Sequence, residues 1–244
     1  MMQRPLATLA GLVTGAASGI GASICAEVAT QGARVALVDR SSQDMDAQVD
    51  RLRSDGCEAI SVVADVSDFQ AMEAVADRCL QEFGRIDFAV ANAGIASTDS
   101  MIDGDTSRWR TILETNVLGA AYTVRAVLPA MRSRRSGHII LMASLSGRDT
   151  YVGEPIYIAS KWALVGLGHS LRKEVQQLGI KVTLVEPGLV DTPMARSNPF
   201  AQALFGELHP LDPADVARVV AFSLAQPAHV LVSEVAIKPT RQDI

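Results

Sequence analysis

A tyrosine and a lysine four residues apart, Tyr157 and Lys161, form the pair in this sequence best suited to proton chemistry. On a helix, that spacing puts both side chains on one face, one turn apart. A phenol ordinarily has a pKa of about 10, and lowering it to about 7 requires roughly 4 kcal/mol. An ammonium group about 4 Å away contributes roughly that much at an effective dielectric constant near 20. The pair is therefore predicted to act as a general acid and base near neutral pH.

The same spacing also arises by chance, as a packed tyrosine beside a solvated lysine, so the prediction depends on the rest of the chain. Residues 14–21 read TGAASGIG, and they lie between an apolar run, 9–14, and a helical pattern that reaches about residue 31. Glycines at positions 15, 19 and 21 permit a tight turn and the close approach of a phosphate to the helix N-terminus. The spacing is GxxxGxG, and after a first strand it indicates a dinucleotide site.

Asp39 ends the second predicted strand, 34–38, where a dinucleotide fold meets the adenosine ribose. A carboxylate there accepts hydrogen bonds from the 2′- and 3′-hydroxyls and repels a 2′-phosphate, which favours NAD over NADP. The alternative is an ordinary turn residue at a strand end. Arg40 complicates the choice of cofactor, because its guanidinium could bind a 2′-phosphate or stack on adenine.

Secondary-structure elements must position these residues. Apolar β-rich runs alternate with helical patterns along all 244 residues, without a linker or repeat. This predicts one α/β domain, 1–244, with a doubly wound parallel sheet covered by helices on both faces. The segment 189–212, rich in proline and apolar residues, is predicted to form a short helical lid over a pocket. Further strands are predicted at 58–63, 85–90, 137–143, 180–185 and 230–237, and helices at 41–55, 68–83, 105–134, 155–178 and 213–225.

Composition narrows the class of partner. The chain is 48% hydrophobic and 20% charged, with a net charge of −5 and no basic block, which argues against binding to nucleic acid or an anionic membrane. The N-terminal region has no long apolar run, so neither a signal peptide nor a membrane span is expected. The three cysteines and four histidines form no metal-binding pattern. We therefore expect a cytoplasmic protein with reduced thiols and no metal site.

Taken together, these motifs resemble the short-chain dehydrogenase/reductase family over nearly the whole chain. The resemblance implies a Rossmann-like domain with a seven-stranded parallel sheet, and a homodimer or homotetramer. Small and apolar residues on the helix after Pro155 suit packing between subunits, although the C-terminal strand lacks the glycine that many members have there. The motifs are TGAASGIG (14–21), Asp-Val (65–66), NAG (92–94), Asn116, Ser144, YIASK (157–161), and Pro-Gly (187–188) with Thr192.

The resemblance also implies a role for each matching residue. Tyr157 is the acid/base, and Lys161 lowers its pKa and hydrogen-bonds the nicotinamide ribose. Ser144 orients the substrate oxygen, and Asn116 holds a water that links Lys161 to bulk solvent. With Asp39 and Arg40, the predicted cofactor-binding residues are Gly15, Ser18, Gly19, Ile20, Gly21, Asp65, Val66, Asn92, Ala93, Gly94, Tyr157, Lys161, Pro187, Gly188, Val190 and Thr192.

A narrower resemblance, to NAD-linked ribitol dehydrogenases, rests on VDR (38–40), DGD with RW (103–109), SGHII (136–140) and EPIYIASK (154–161). It implies a sugar alcohol (polyol) as the substrate. Arg148, Asp149 and Glu154 are expected to border that substrate and to hydrogen-bond its hydroxyls, unless they are only solvated loop charges. Because the side chains of the predicted lid are mostly apolar, a simple secondary alcohol or ketone is an alternative substrate.

Two other function classes compete with an NAD-dependent alcohol dehydrogenase. One is a ketoreductase that acts on oxoacyl or other keto compounds, for which Arg40 is the best support. The other is a non-catalytic dinucleotide sensor, which would not need all of Ser144, Tyr157, Lys161 and Asn116. A nucleophilic hydrolase is disfavoured, because Ser144 does not lie in a GxSxG motif.

Overall fold

The computed structural model describes residues 5–98 and 100–243. The expected absence of a signal peptide concerns the N-terminal region, and residues 1–4 of that region lie outside the described residues. In the described part the strands are β1 (Ala10–Thr14), β2 (Arg34–Asp39), β3 (Ala59–Val63), β4 (Phe88–Ala91), β5 (Gly137–Met142), β6 (Ile180–Pro187) and β7 (Glu234–Ile237). The helices are α1 (Gly19–Thr30), α2 (Gln43–Ser54), α3 (Phe69–Phe83), α4 (Thr106–Leu113), α5 (Gly119–Arg134), α6 (Pro155–Val175), α7 (Pro193–Arg196), α8 (Pro199–Ala203), α9 (Phe205–Leu208) and α10 (Pro213–Leu224).

Within residues 5–98 and 100–243, the seven strands form one parallel sheet in the order β3-β2-β1-β4-β5-β6-β7. The predicted Rossmann-like architecture is therefore confirmed. The chain winds outward from β1 in one direction and from β4 in the other, so the order reverses between these two strands. In open α/β sheets, ligands bind in the crevice at such a reversal, beyond the carboxyl ends of the strands.

Each face of the sheet carries its own apolar layer. Alternate residues of a strand point to opposite faces, so Leu12 packs with the core that includes Val124 and Leu164, whereas Val13 packs with Ile24 and Val216. The first layer lies beneath α3, α5 and α6, and the second beneath α1 and α10. Because both faces are covered, the central strands read as nearly continuous apolar runs.

Several predicted element ends are confirmed. Asp68 caps α3 by accepting hydrogen bonds from Gln70 N at 2.9 Å and Ala71 N at 3.2 Å. Asp212 caps α10, with Pro213 in its first turn and a reciprocal contact from Asp215. Such caps satisfy backbone N–H groups that have no partner inside the helix.

The structure differs from two predicted elements. The single helix expected over 105–134 is interrupted by a π-helical turn, Glu114–Leu118, which turns Asn116 into the interior. The last strand begins at Glu234 rather than 230. Residues 230 and 232 lie before the strand, and their carbonyl groups accept side-chain hydrogen bonds from Lys181 and Thr183. In the described residues, no helix is both long enough and apolar enough to cross a bilayer.

Candidate active site

The glycine turn between β1 and α1 is folded tightly on itself. A Cβ atom on Gly21 would lie 2.1 Å from Gly15 O, and Gly15 and Gly19 have positive φ angles of 67° and 54°. Only glycine fits both conditions without strain. Ser18 precedes α1 and makes no side-chain capping hydrogen bond within the described residues, so the first N–H groups of α1 are left for another acceptor. This arrangement, with Ile20 in the first turn of α1, fits a phosphate group.

Asp39 lies directly beside this turn. Its Oδ2 accepts a hydrogen bond from Ala17 N at 3.1 Å, and its Oδ1 accepts one from Arg40 N at 2.7 Å. The Arg40 guanidinium extends towards Asp65, with 3.8 Å between Nη1 and Oδ2. Hydrogen bonds from Ser67, together with the charge of Arg40, lower the pKa of Asp65. Asp39 and Asp65 thus place two carboxylates near the predicted adenosine position.

The NAG segment at the end of β4 is tied to the end of β1. Thr14 Oγ1 accepts hydrogen bonds from Asn92 N at 3.0 Å and Ala93 N at 3.1 Å. Asn92 Nδ2 donates to Thr14 O at 2.9 Å and to Gly15 O at 3.3 Å. These bonds bring Asn92, Ala93 and Gly94 next to the glycine turn. Val66, which follows β3, packs closely on Gly119.

Tyr157 and Lys161 lie on the same face of α6, as their spacing predicts. Lys161 Nζ lies 5.6 Å from the centroid of the Tyr157 ring and donates a hydrogen bond to Met142 O at 2.9 Å. Met142 ends β5, so the ammonium group is held at the carboxyl end of the sheet. Burial lowers the pKa of Lys161 to about 8.

The pKa of Tyr157 in this structure is raised, opposite to the depression that the sequence predicts. Burial raises the pKa of Tyr157 to about 12; a hydrogen bond with Ser144 opposes this rise, and the charge of Glu154 adds to it. The reason is that burial penalises both ions, and Lys161 directs a hydrogen bond to a backbone carbonyl. The lysine charge alone therefore does not make the phenol a base at neutral pH.

Ser144 follows β5 and begins a short 3₁₀ turn, Leu145–Gly147. Its Oγ accepts a hydrogen bond from Ser146 N at 3.1 Å and donates to Ser146 Oγ at 3.1 Å. Pro187 O lies 3.4 Å from the same Oγ. Ser144 lies close enough to Tyr157 to lower the pKa of that phenol, so the structure brings the predicted serine and tyrosine together.

Asn116 is buried in the π-helical turn, and its side chain is engaged with protein groups. Its Oδ1 accepts from Ile95 N at 2.8 Å, and its Nδ2 donates to Ile95 O at 2.9 Å and to Ser160 Oγ at 3.0 Å. Asn116 thereby joins the loop after Gly94 to α6. Both amide hydrogens are used in these bonds, and the role of Asn116 in holding a water remains a prediction.

The loop after β6 closes the other side of the crevice. Gly188 N donates to Ile237 O at 2.8 Å, and Val190, which follows it, is buried. Thr192 caps α7, and its Cγ2 would lie 3.2 Å from a Cβ placed on Gly19. This contact brings the Pro187–Thr192 loop against the glycine turn, although the two are far apart in sequence.

The charged loop residues expected to hold a polyol are engaged elsewhere. Arg148 donates to Glu186 Oε2 at 2.6 Å and Glu234 Oε2 at 2.7 Å, so two carboxylates of the protein engage its guanidinium, and its contact with a substrate stays a prediction. Asp149 accepts from Thr150 N. Glu154 is buried and bonded within the protein. Of the three, only Glu154 is buried, and a buried carboxylate requires such partners.

Sequence reasoning missed several residues that shape the site. Thr14 connects two loops, and Ser146, Tyr151 and Asn198 extend the hydrogen bonds of Ser144 and Glu154. Gln242 accepts from Leu189 N at 2.9 Å and so supports the loop after β6. Thr14 could have been found from its position at the end of β1, but the others act through contacts between distant segments.

A parallel sheet with a glycine turn at its strand-order reversal, and a Ser–Tyr–Lys group beside it, defines a nucleotide-binding protein with side chains placed for proton transfer. The family model described as short chain dehydrogenase matches residues 10–202, and the chain belongs to that family. It is therefore an NAD(P)-dependent oxidoreductase.

Relatives and solved structures agree with this membership. An uncharacterized oxidoreductase of Staphylococcus saprophyticus subsp. saprophyticus is 36% identical over 230 residues, which cover 93% of this chain and 96% of the relative. A metagenomic short-chain oxidoreductase in complex with NADP is 31% identical, with a TM-score of 0.84 over 98% of this chain and 100% of the other. Levodione reductase is 28% identical, with a TM-score of 0.88 over 95% of this chain and 96% of the other.

Proposed function

We propose that this protein catalyses reversible hydride transfer between NAD and a secondary alcohol or its ketone, with Tyr157 as the acid/base. The observation that carries this proposal is the grouping of Ser144, Tyr157 and Lys161 at the carboxyl ends of β5 and β6. The Pro187–Thr192 loop, which contacts the glycine turn, joins this group to the cofactor crevice. The group has the polar atoms that the reaction needs. It lies at the carboxyl ends of the strands, where open α/β sheets bind their ligands.

The side chains have separate tasks. When bound, the cofactor supplies the hydride acceptor at nicotinamide C4, and the positive charge of its oxidised ring favours the Tyr157 phenolate. In alcohol oxidation, Tyr157 takes the hydroxyl proton while hydride leaves the carbon that bears the hydroxyl group. The O–H bonding pair becomes the second bond of the carbonyl group. In ketone reduction, Tyr157 returns a proton to the carbonyl oxygen as the hydride arrives. Ser144 donates a hydrogen bond to that oxygen, and Lys161 adds positive charge beside the phenol.

The proposed cofactor is NAD. Asp39 is supported as the ribose ligand because its carboxylate lies beside the glycine turn. Its negative charge would repel a 2′-phosphate. Arg40, the residue that could favour NADP, extends towards Asp65 instead. The related metagenomic oxidoreductase binds NADP, so the preference of this chain has to be measured directly.

The proposed substrate is a polyol such as ribitol, based on the resemblance of the EPIYIASK segment and on the polar side chains near Ser144. Ser146 and Tyr151 are hydrogen-bonded in series to that serine, and Tyr151 is exposed. A second candidate is reduction of a keto compound with NAD(P)H. The similarity to levodione reductase favours it, as do the apolar side chains of Met194 and Phe200 in the segment 189–212.

We further propose a homodimer or homotetramer in the cytoplasm. Trp162 of α6 has 47% of its surface exposed, and a large exposed aromatic side chain suits a subunit interface. The three cysteines are free thiols, and Cys25 and Cys79 are buried, which suits a reducing compartment.

An NADH-forming screen tests the function. Purified protein is mixed with NAD or NADP and a panel of polyols and simple secondary alcohols, and the ketones are tested with NADH and NADPH. We expect reduction of NAD by at least one polyol, faster than by the simple alcohols, and none in Tyr157→Phe. If only ketones react, the second candidate is correct. Absence of hydride transfer with every compound and both cofactors refutes the proposed function.

A further inference from the structure

A continuous line of hydrogen bonds runs from the catalytic serine to the segment 189–212. Ser144 Oγ lies 3.1 Å from Ser146 Oγ, which lies 3.0 Å from the Tyr151 hydroxyl. The Tyr151 hydroxyl donates to Glu154 Oε2 at 2.7 Å. The other carboxyl oxygen, Oε1, accepts from Asn198 Nδ2 at 2.7 Å. Three hydroxyl groups in series thus end at one buried carboxyl group.

Glu154 is held between two elements. Only 5% of its surface is exposed, and it immediately precedes α6, which carries Tyr157. Asn198 caps α8 through its Oδ1, which accepts from Phe200 N at 2.9 Å, while its amide hydrogen reaches Glu154. Gly153, with φ of 116°, lies against the Phe200 ring. The carboxyl group of Glu154 therefore fastens the start of α8 to the loop before α6.

The charge on this carboxyl group fixes the direction of the hydrogen bonds between the hydroxyl groups in the line. An ionised carboxylate only accepts, so Tyr151 donates to Glu154 and Ser146 donates to Tyr151; in the bond between Ser144 and Ser146, Ser144 is then the donor. The hydrogen of Ser144 is then directed away from the substrate. A neutral Glu154 donates its own hydrogen to the Tyr151 oxygen, and each following hydroxyl reverses. Ser144 then accepts from Ser146 and keeps its hydrogen for the substrate oxygen.

We propose that Glu154 is a positioning residue that sets the direction of this hydrogen-bond line, and thereby decides whether Ser144 donates to the substrate oxygen, while it holds Asn198 in place. The inference rests on the proposed function, because it concerns the hydrogen bond that Ser144 makes during catalysis. It assigns ketone reduction to the neutral form of Glu154, in which Ser144 can donate.

The electrostatics of the site agree with this role. Burial raises the pKa of Glu154, although hydrogen bonds from Tyr151 and Asn198 oppose the rise, so its neutral form is favoured compared with an exposed glutamate. The titratable groups that interact with it are Tyr151 of the same loop and Tyr157 of α6. The segment 189–212 contributes an uncharged amide, that of Asn198.

The pH profile of ketone reduction tests the proposal. For the wild-type protein, we expect kcat to fall about tenfold as Glu154 ionises, the effect of losing one hydrogen bond to the substrate oxygen. Glu154→Gln cannot ionise, and its profile should lack this fall. Tyr151→Phe and Ser146→Ala cut the line but leave the carboxyl group, and should lack it as well.

Asn198→Ala is the matched control, because it removes a partner of Glu154 outside the line to Ser144. It should keep the fall with pH and raise KM. Identical profiles for wild type and Glu154→Gln would overturn the proposal, and so would loss of the fall in Asn198→Ala. A wild-type protein without hydride transfer on any compound would instead refute the proposed function.

The fastening of α8 can be measured without substrate. Amide hydrogen exchange at residues 199–203 should be faster in Glu154→Ala and Asn198→Ala than in wild type. It should be unchanged in Glu154→Gln, because glutamine keeps an oxygen that accepts from Asn198. Equal exchange rates in wild type and Glu154→Ala would show that the carboxyl group does not hold this segment.

Discussion

Two regions of the molecule meet at the crevice and are built in different ways. The cofactor region, residues 10–66, is shaped largely by the backbone, with glycines at 15, 19 and 21 where a side chain would collide or be strained. The substrate region, residues 137–212, is shaped by buried polar side chains that bond side chains or backbone groups of other segments, such as Glu154, Lys161 and Glu186.

This difference determines how each region responds to change. A backbone turn tolerates few residue types, so its sequence motif is short and its substitutions act by steric collision. A buried polar side chain depends on partners from other segments and on its own charge. We therefore expect the cofactor region to be sensitive to volume, and the substrate region to be sensitive to pH and to the loss of single polar atoms.

The largest effect should come from removing one oxygen atom in the substrate region. Tyr157→Phe keeps the ring but not the hydroxyl group, and kcat should fall by roughly a thousandfold, within the range for loss of a general acid/base. The Kd for NADH, measured by fluorescence titration, should change little. Tyr122→Phe, on a tyrosine whose ring lies tilted against that of Phe69, is the matched control and should keep its activity. Near-normal turnover in Tyr157→Phe would refute its role.

A volume change in the cofactor region should rank second. In Gly21→Ala, the added Cβ would lie 2.1 Å from Gly15 O, so the turn must open. We expect a loss of stability of about 1–3 kcal/mol, typical of overpacking, together with weakened cofactor binding. Gly206→Ala, where nothing lies within 4 Å of the added atom, should have little effect on binding. Denaturant unfolding measures the stability, and NADH titration measures cofactor binding. Equal results for Gly21→Ala and Gly206→Ala would contradict the expected sensitivity of the cofactor region to volume.

The cofactor preference should respond to the carboxylate next to the glycine turn. Asp39→Ala removes both the acceptor for the ribose hydroxyls and the charge that repels a 2′-phosphate, so the NAD/NADP ratio of kcat/KM should fall by about 10- to 100-fold. The ratio is the measured quantity because Asp39 also bonds Ala17 N, and its loss affects both cofactors. Arg40→Ala should change the ratio less. An unchanged ratio in Asp39→Ala means that the NAD assignment is wrong.

The smallest effect is a pH dependence of stability from His138 on β5. Thr183 Oγ1 donates its one hydrogen to Val232 O, so it accepts from His138 Nε2 at 2.7 Å, and burial lowers the pKa of His138 from 6.5 to about 3. The unfolded chain therefore binds this proton more readily. Its contribution to stability is complete above about pH 6.5 and is lost as the pH falls towards 3.

Between about pH 7.5 and about pH 5.5, this histidine should reduce the free energy of unfolding by roughly 1 kcal/mol. His138→Gln cannot titrate, so the difference in stability between wild type and variant should shrink as the pH falls. Denaturant unfolding at the two pH values measures it. A difference that stays constant would show that His138 does not titrate between the folded and unfolded states.

The cofactor region could be predicted from the sequence in most respects. The glycine turn, the strand that ends at Asp39 and the caps at Asp68 and Asp212 are local features, and each depends on residues a few positions apart. Tyr157 and Lys161 were also placed correctly on one helix face, because helical spacing is local. What could not be predicted was the environment of that pair, since Lys161 bonds a carbonyl on β5.

The charges of the substrate region show why the remainder required the fold. Arg148 bonds Glu186, 38 residues away, and Glu154 bonds Asn198, 44 residues away. From the sequence, both appeared as candidate ligands for a substrate, because nothing local reveals which polar partner a side chain will find. The π-helical turn at Asn116 was missed for the same reason, as it depends on the backbone of Ile95.

The sequence by itself determined the succession of strands and helices along the chain and the glycine turn, because periodicity and steric demands act over short stretches of chain. Its motifs also indicated the family. Only the tertiary structure decided which charged groups are neutralised within the protein and what burial does to the pKa of Tyr157. The physical reason is that burial and pairing of charges depend on segments brought together by the sheet, and these energies do not exist until the sheet has formed.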